Sequence, residues 1–212
     1  MTASTRWTVA VLAVLTALGV GLAMELSGGP ADRSAPAEQI RRTHRDADTP
    51  EALAGLRRSA DLPPCRADGR GEGPVALRDV VVECAADGAE VNAARVLADR
   101  DVVLNLWAYW CAPCAEELPA LQQYQRRVGD AVTVVTVHQD ENEAAALTRM
   151  ADLGVRLPVL QDGRRSIAAA LRVPNVMPAT VVLRRDGTVA QILPQPFASA
   201  DEISAAVDAA LR

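Results

Sequence analysis

The stretch Leu104-Asn105-Leu106-Trp107-Ala108-Tyr109-Trp110-Cys111-Ala112-Pro113-Cys114 constrains this chain most. Residues 102–106 read as a short buried strand and a helical pattern begins at Cys114, which sets two thiols at a strand-to-helix junction. Cysteines three apart on a first helical turn lie within the Cα separation a disulfide needs, so the pair opens and closes with little backbone movement. Cys111, the outer thiol, meets the unpaired N–H groups of the helix start, where the macrodipole favours a thiolate by up to ~2 kcal/mol. Thiolates are the form that attacks disulfides. Pro113 suits a first turn, where its missing N–H takes no helix bond away. Trp107, Tyr109 and Trp110, three of the six aromatic residues, give the junction an apolar surround, and Cys114 becomes the buried resolving thiol.

A lone C-x-x-C also suits half of a zinc site, but no second C-x-x-C or H-x-x-x-H pair exists here, and neither His44 nor His138 has ligand spacing to another donor. No metal site is therefore expected. The net charge of −5 argues against a nucleic-acid partner.

Upstream, residues 7–26 form an almost unbroken apolar run of about 20 residues, or about 30 Å as a helix, enough to span a bilayer. Arg6 lies on its N-terminal side, so residues 1–6 should stay cytoplasmic and everything after residue 26 should be exported. The alternative is a cleaved signal peptide and a secreted protein, since Gly21-Leu22-Ala23 offers a small-residue cleavage site. Residues 27–60 are rich in Gly, Pro, Ala, Arg and Asp with few large apolar side chains, and read as a flexible tether, with a short helix where Thr49 caps and Pro50 takes the first turn.

The globular domain is expected over 61–212, with 15 arginines against 21 acids. Two further cysteines, Cys65 and Cys84, lie in it; in an exported protein they suit a structural bridge worth roughly 3 kcal/mol on the chain-entropy model, with a second redox couple as the alternative. Strands are read at 80–84, 102–107, 132–137, 157–160, 180–183 and 189–193, the last two joined by the turn Arg185-Asp186-Gly187-Thr188. Helices are read from Cys114 to the stop at Gly129, with Pro119 inside, and over 143–153, 166–171 and 201–211. Alternating strands and helices with a closing hairpin give an α/β domain whose central mixed sheet is flanked by helices.

Trp107-Ala108-Tyr109-Trp110-Cys111-Ala112-Pro113-Cys114, the helix proline Pro119, and Met177-Pro178-Ala179-Thr180 ahead of the hairpin strand resemble a thioredoxin-like fold. With the upstream β extension, the anchor helix and the run Cys114-Ala115-Glu116-Glu117-Leu118-Pro119, the chain is similar to the TlpA-like, membrane-tethered thiol:disulfide oxidoreductases, among them the reductases of cytochrome c maturation. The resemblance implies that Cys111 and Cys114 are catalytic and need no cofactor beyond their own disulfide. It implies that Pro178 is a cis proline facing them, with Trp110, Met177 and Pro178 receiving the substrate chain. It makes Glu117 a carboxylate near the disulfide that takes the Cys114 proton, whereas Asn105 stands where cytoplasmic thioredoxins carry a titrating aspartate. Partners implied are exported protein thiols and disulfides, apocytochrome c among them, and a membrane electron donor if the enzyme runs as a reductase. A disulfide-forming oxidase, a thiol peroxidase and a copper chaperone using Cys111 and Cys114 stand as alternatives.

Overall fold

The computed structural model describes residues 48–212, so the expected anchor at 7–26 and most of the tether lie outside the described residues. Among the described residues no helix is long and apolar enough to cross a membrane.

Helix α1 (Pro50–Ala60) comes first, with the Thr49 side chain accepting the Ala52 N–H and Pro50 in its first turn. Strands β1 (Val81–Cys84) and β2 (Glu90–Asn92) form a hairpin, and the Asn92 side chain caps the short α2 (Ala93–Val96). Then follow β3 (Val102–Trp107), α3 (Ala112–Val128), β4 (Thr133–His138), α4 (Glu143–Asp152), β5 (Val159–Gln161), α5 (Ser166–Ala170), β6 (Ala179–Leu183), β7 (Val189–Leu193) and α6 (Ala200–Leu211). The seven strands make one mixed sheet in the order β2-β1-β5-β4-β3-β6-β7. Parallel β3, β4 and β5 form its centre, and antiparallel strands extend it on both sides.

Strand alternation divides the core. Val103 and Trp107 of β3, Val134 of β4 and Val182 of β6 face α1, α3, α4 and α6, while Val102, Leu104 and Leu106 face α2, α5 and the turn at Leu77. All six β3 side chains are buried, which is why this strand reads as a nearly continuous apolar run. The β6–β7 turn needs glycine for a second reason besides its φ of 82°: a Cβ on Gly187 would stand 2.7 Å from the Gly73 carbonyl carbon.

Strand β2 was not expected, and two helices also differ from the reading. The helix after the thiols starts at Ala112 rather than at Cys114, leaving Cys111 as its N-cap. The folded unit also begins before residue 61, because α1 is docked rather than solvated: Leu53 and Ala60 are buried, and Leu56 packs beside them against the helix-covered face of the core. Arg57 bridges Glu83 on β1 at 2.6 Å and Glu143 on α4 at 3.0 Å, and Asp48 accepts the N–H groups of Glu143 and Ala144. Burial raises Glu143 to about 7, aided by the nearby Glu83 and Asp48 charges and opposed by Arg57.

Cys65 and Cys84 are bonded, S–S 2.07 Å, Cys65 with 7% and Cys84 with 1% exposure. The bridge pins the segment before β1 across a sequence separation of 19. The double variant Cys65→Ala, Cys84→Ala should lose about 3 kcal/mol of stability, read from the urea midpoint, while its reaction with disulfides is unchanged.

Candidate active site

Parallel β3 and β4 end side by side, and the loop leaving β3 carries Tyr109, Trp110 and Cys111 across their C-terminal edge. The Cys111 N–H donates to the Ala108 carbonyl at 3.0 Å, which folds the chain back into α3. As N-cap of a 17-residue helix, Cys111 sets its sulfur where the Cys114 N–H donates to it at 3.3 Å. Cys111 and Cys114 are bonded at 2.06 Å; Cys111 retains 6% exposure and Cys114 none, so of the pair only Cys111 reaches the surface. The backbone donor and the positive helix end favour a thiolate at Cys111 once the bond is reduced.

Three ties hold this loop. The Tyr109 N–H donates to His138 Nε2 at 3.3 Å, Arg149 Nε donates to the Tyr109 carbonyl at 3.3 Å, and the Trp110 indole N–H donates to Asp140 Oδ2 at 3.0 Å. Because His138 Nε2 accepts, its proton sits on Nδ1 and goes to Gln161 Oε1 at 2.8 Å. Burial lowers the His138 pKa, so the ring is neutral near pH 7. Both of its nitrogens are engaged, which removes it as a third metal ligand for the copper reading. Among the described residues no group of three or more His, Cys, Asp or Glu side chains is arranged to hold a metal ion. His138 entered the sequence reading only as a histidine without ligand spacing and Gln161 not at all, since the strand was read to end at Leu160; their pairing is fixed by β4–β5, which places them opposite each other.

The Met177–Pro178 bond is cis, Pro178 is buried, and Met177 packs against the core cluster that contains Cys111 and Cys114. Trp110 is 59% exposed and Val176, beside Met177, is 46% exposed, so large apolar surface faces solvent in both loops. Arg165 joins the second loop to the end of β4, donating to Gln139 Oε1 at 2.8 Å and to Asn175 Oδ1 at 2.6 Å.

Glu117 lies one turn after Cys114 on α3 and is fully buried. Asn105 Nδ2 donates to its Oε2 at 2.8 Å, and the Phe197 N–H donates to its Oε1 at 3.2 Å. Burial pushes its pKa up to about 7 against the opposing pull of these two donors. Glu117 can therefore gain and lose a proton near neutrality. Asn105, which cannot titrate, acts on it as a donor, and Phe197 escaped the sequence reading because it contributes a backbone group.

Residues 71–208 match the Redoxin family. The chain is 33% identical over 98 residues to the thioredoxin-like protein YneN of Bacillus subtilis, covering 44% of this chain and 55% of that protein. It is 27% identical over 96 residues to the thiol-disulfide oxidoreductase ResA of Bacillus thuringiensis, covering 45% and 55%. The chain thus spans about half the length of these curated relatives. Among solved structures it is similar to a secreted Mycobacterium tuberculosis disulfide oxidoreductase homologous to E. coli DsbE, with TM-score 0.54, 29% identity, and coverage of 63% of this chain and 97% of that one. A DsbF homologue from Corynebacterium diphtheriae gives TM-score 0.54 and 28% identity, covering 61% and 83%.

Proposed function

The chain belongs to the Redoxin family, as a TlpA-like thioredoxin-fold member, and from that premise we propose that it is an extracytoplasmic thiol:disulfide oxidoreductase working through Cys111 and Cys114. The observation that carries the reading is the placement of Cys111 as the N-cap of α3, its sulfur already accepting the Cys114 N–H.

In the reducing direction the Cys111 thiolate attacks a substrate disulfide, one substrate sulfur leaves as thiolate and is protonated, and a mixed disulfide forms. Cys114 then gives up its proton, attacks the Cys111 sulfur and releases the second substrate thiol. Two electrons pass from the dithiol to the substrate. Glu117 on the next turn receives the Cys114 proton, a task that suits a carboxyl poised near neutrality. The couple itself carries the electrons, so no bound cofactor enters.

Trp110, Met177 and Pro178 receive the substrate chain, a role supported by the exposed indole and by Met177 packing against the core cluster that includes both cysteines. Export is supported by the apolar run 7–26 behind Arg6 and by the buried Cys65–Cys84 bridge, which suits an oxidising compartment. With residues 7–26 anchoring it, the domain can be recharged by a membrane electron donor. That arrangement favours reduction of exported protein disulfides, apocytochrome c among the clients.

The test is the pH dependence of Cys111 alkylation in the reduced protein, with the redox potential measured alongside. A midpoint about one pH unit or more below that of free cysteine, ~8.5, is expected, together with a potential near about −270 mV. A midpoint at the free-cysteine value overturns the mechanism. A potential near about −120 mV would reassign the chain as a disulfide-forming oxidase.

A further inference from the structure

Beneath Glu117 a row of polar side chains crosses the sheet. Register places Asn105 of β3 between Thr136 of β4 and Thr180 of β6, and all three are buried. The Thr136 hydroxyl is engaged by the Pro158 carbonyl at 3.1 Å. The Asn105 amide is one-sided: Nδ2 donates both to Glu117 Oε2 at 2.8 Å and to Thr180 Oγ1 at 3.1 Å, while Oδ1 is buried with no partner among the described residues. An unmet acceptor in such a place bears the full cost of its lost hydration. The nitrogen and oxygen of a terminal amide are nearly the same size, so a half turn of the group exchanges them without repacking.

We propose that Asn105 is a two-state positioning partner of Glu117, turning its amide as the carboxyl gains or loses a proton, so that both forms of Glu117 are hydrogen-bonded without water. With Glu117 ionised, Nδ2 donates to Oε2. With Glu117 protonated on Oε2, the acid O–H requires an acceptor; the turned amide presents Oδ1, which accepts from Glu117 and from the Thr180 hydroxyl, and Nδ2 takes the unpartnered place. Phe197 N–H donates to Oε1 in both states, so one oxygen stays anchored while the other changes role. Each orientation leaves one amide atom of Asn105 unpaired. Glu117 itself thereby keeps a partner on both oxygens in either protonation state.

The groups facing Glu117 are Asn105 from β3, the Phe197 N–H, and Cys114 one turn earlier on α3; no charged side chain among the described residues hydrogen-bonds to it. An aspartate at 105 could not serve, because two carboxyls at this separation would share one proton and titrate as a coupled pair. The inference rests on reading Glu117 as the proton partner of Cys114, but its test does not.

In the oxidised full chain, the Glu117 carboxyl carbon and the Asn105 side-chain amide are followed by NMR against pH, with Glu117→Gln assigning the former. The amide resonances should shift with the same midpoint as the Glu117 carboxyl and become pH-independent over that range in Glu117→Gln. Asn105→Leu should raise the Glu117 midpoint by about one pH unit, a tenfold gain in proton affinity, since the charged form loses its stronger bond. An Asn105 amide that stays constant through the Glu117 titration overturns the proposal, and this needs no variant of Asn105 to fold. Separately, a pH profile of mixed-disulfide resolution unchanged by Glu117→Gln would overturn the proton role of Glu117 and leave the amide coupling to be decided by the resonances.

Discussion

Cys111→Ser is expected to abolish reduction of insulin disulfides, lowering the rate by about three orders of magnitude or more, with the fold intact. The second half of that expectation follows from the same geometry as the first. Cys111 is the N-cap of α3, its side chain accepting the Cys114 N–H, and serine is among the best residues for that position. The substitution therefore keeps the cap and removes only the sulfur that forms the mixed disulfide. Thermal unfolding of the variant should track that of the reduced wild type, so lost activity cannot be ascribed to a lost helix start. Cys114→Ser should differ in kind: the nucleophile remains, the resolving thiol is gone, and substrate accumulates as a mixed disulfide on Cys111, visible as a mass increase reversed by added thiol. Turnover retained by Cys111→Ser, or adducts on Cys114 in place of Cys111, would sink the assignment.

What could be read from the residues alone, and what could not, separates along the range of the interactions. β3, β4 and β6 were legible because runs such as Thr133-Val134-Val135-Thr136-Val137 are β-branched and flanked by turn residues. The thiol pair was legible because its aromatic and proline neighbours are contiguous with it. The start of α3 was misplaced by two residues because the capping residue is a cysteine, which carries none of the Ser, Thr, Asp or Asn signal that marked the cap at Thr49. β2 was missed since Glu90-Val91-Asn92 is three residues long and mostly polar, and only its pairing with β1 makes it a strand.

The larger gaps came from contacts far apart in sequence. Arg57 looks like a solvated linker charge until the fold brings Glu83 and Glu143 to it from 26 and 86 residues away. Glu117 was set near the disulfide only through the family resemblance; by its sequence neighbours alone it looks like half of an exposed Glu116-Glu117 pair on a helix face. Its burial is decided by Asn105, 12 residues upstream, and by the Phe197 N–H, 80 residues downstream. No helical periodicity signals that a carboxyl is being led into the core. The same applies to His138, whose two nitrogens are assigned by Tyr109 and Gln161.

Burying that carboxyl has a thermodynamic consequence that distinguishes a functional acid from a packing residue: Glu117→Gln is expected to stabilise the protein at pH 8 and to leave its stability nearly unchanged at pH 4. In the folded chain Glu117 titrates at about 7, against 4.5 for the unperturbed group, mainly because burial penalises the charge. Between those values the folded state holds a proton that the unfolded state has released, so stability falls as pH rises through this window. At about 1.4 kcal/mol per pH unit the loss amounts to about 3 kcal/mol once pH exceeds 7. Below about pH 4 both states are protonated and the difference vanishes. Glutamine is neutral throughout and lacks the charge that burial penalises. At pH 8 the variant should therefore unfold roughly 6–12 °C above the wild type, measured with both disulfides intact. Glu143 adds a slope of the same sign, but it is present in both proteins and cancels in the comparison. The same substitution should slow resolution of the mixed disulfide near neutral pH, because the proton released by Cys114 has lost its acceptor. A variant less stable than wild type at pH 8 would mean that the donors of Asn105 and Phe197 outweigh the burial of the charge. A structural residue gives no reason for stability to rise while resolution slows, whereas a carboxyl kept in the core for its proton requires both.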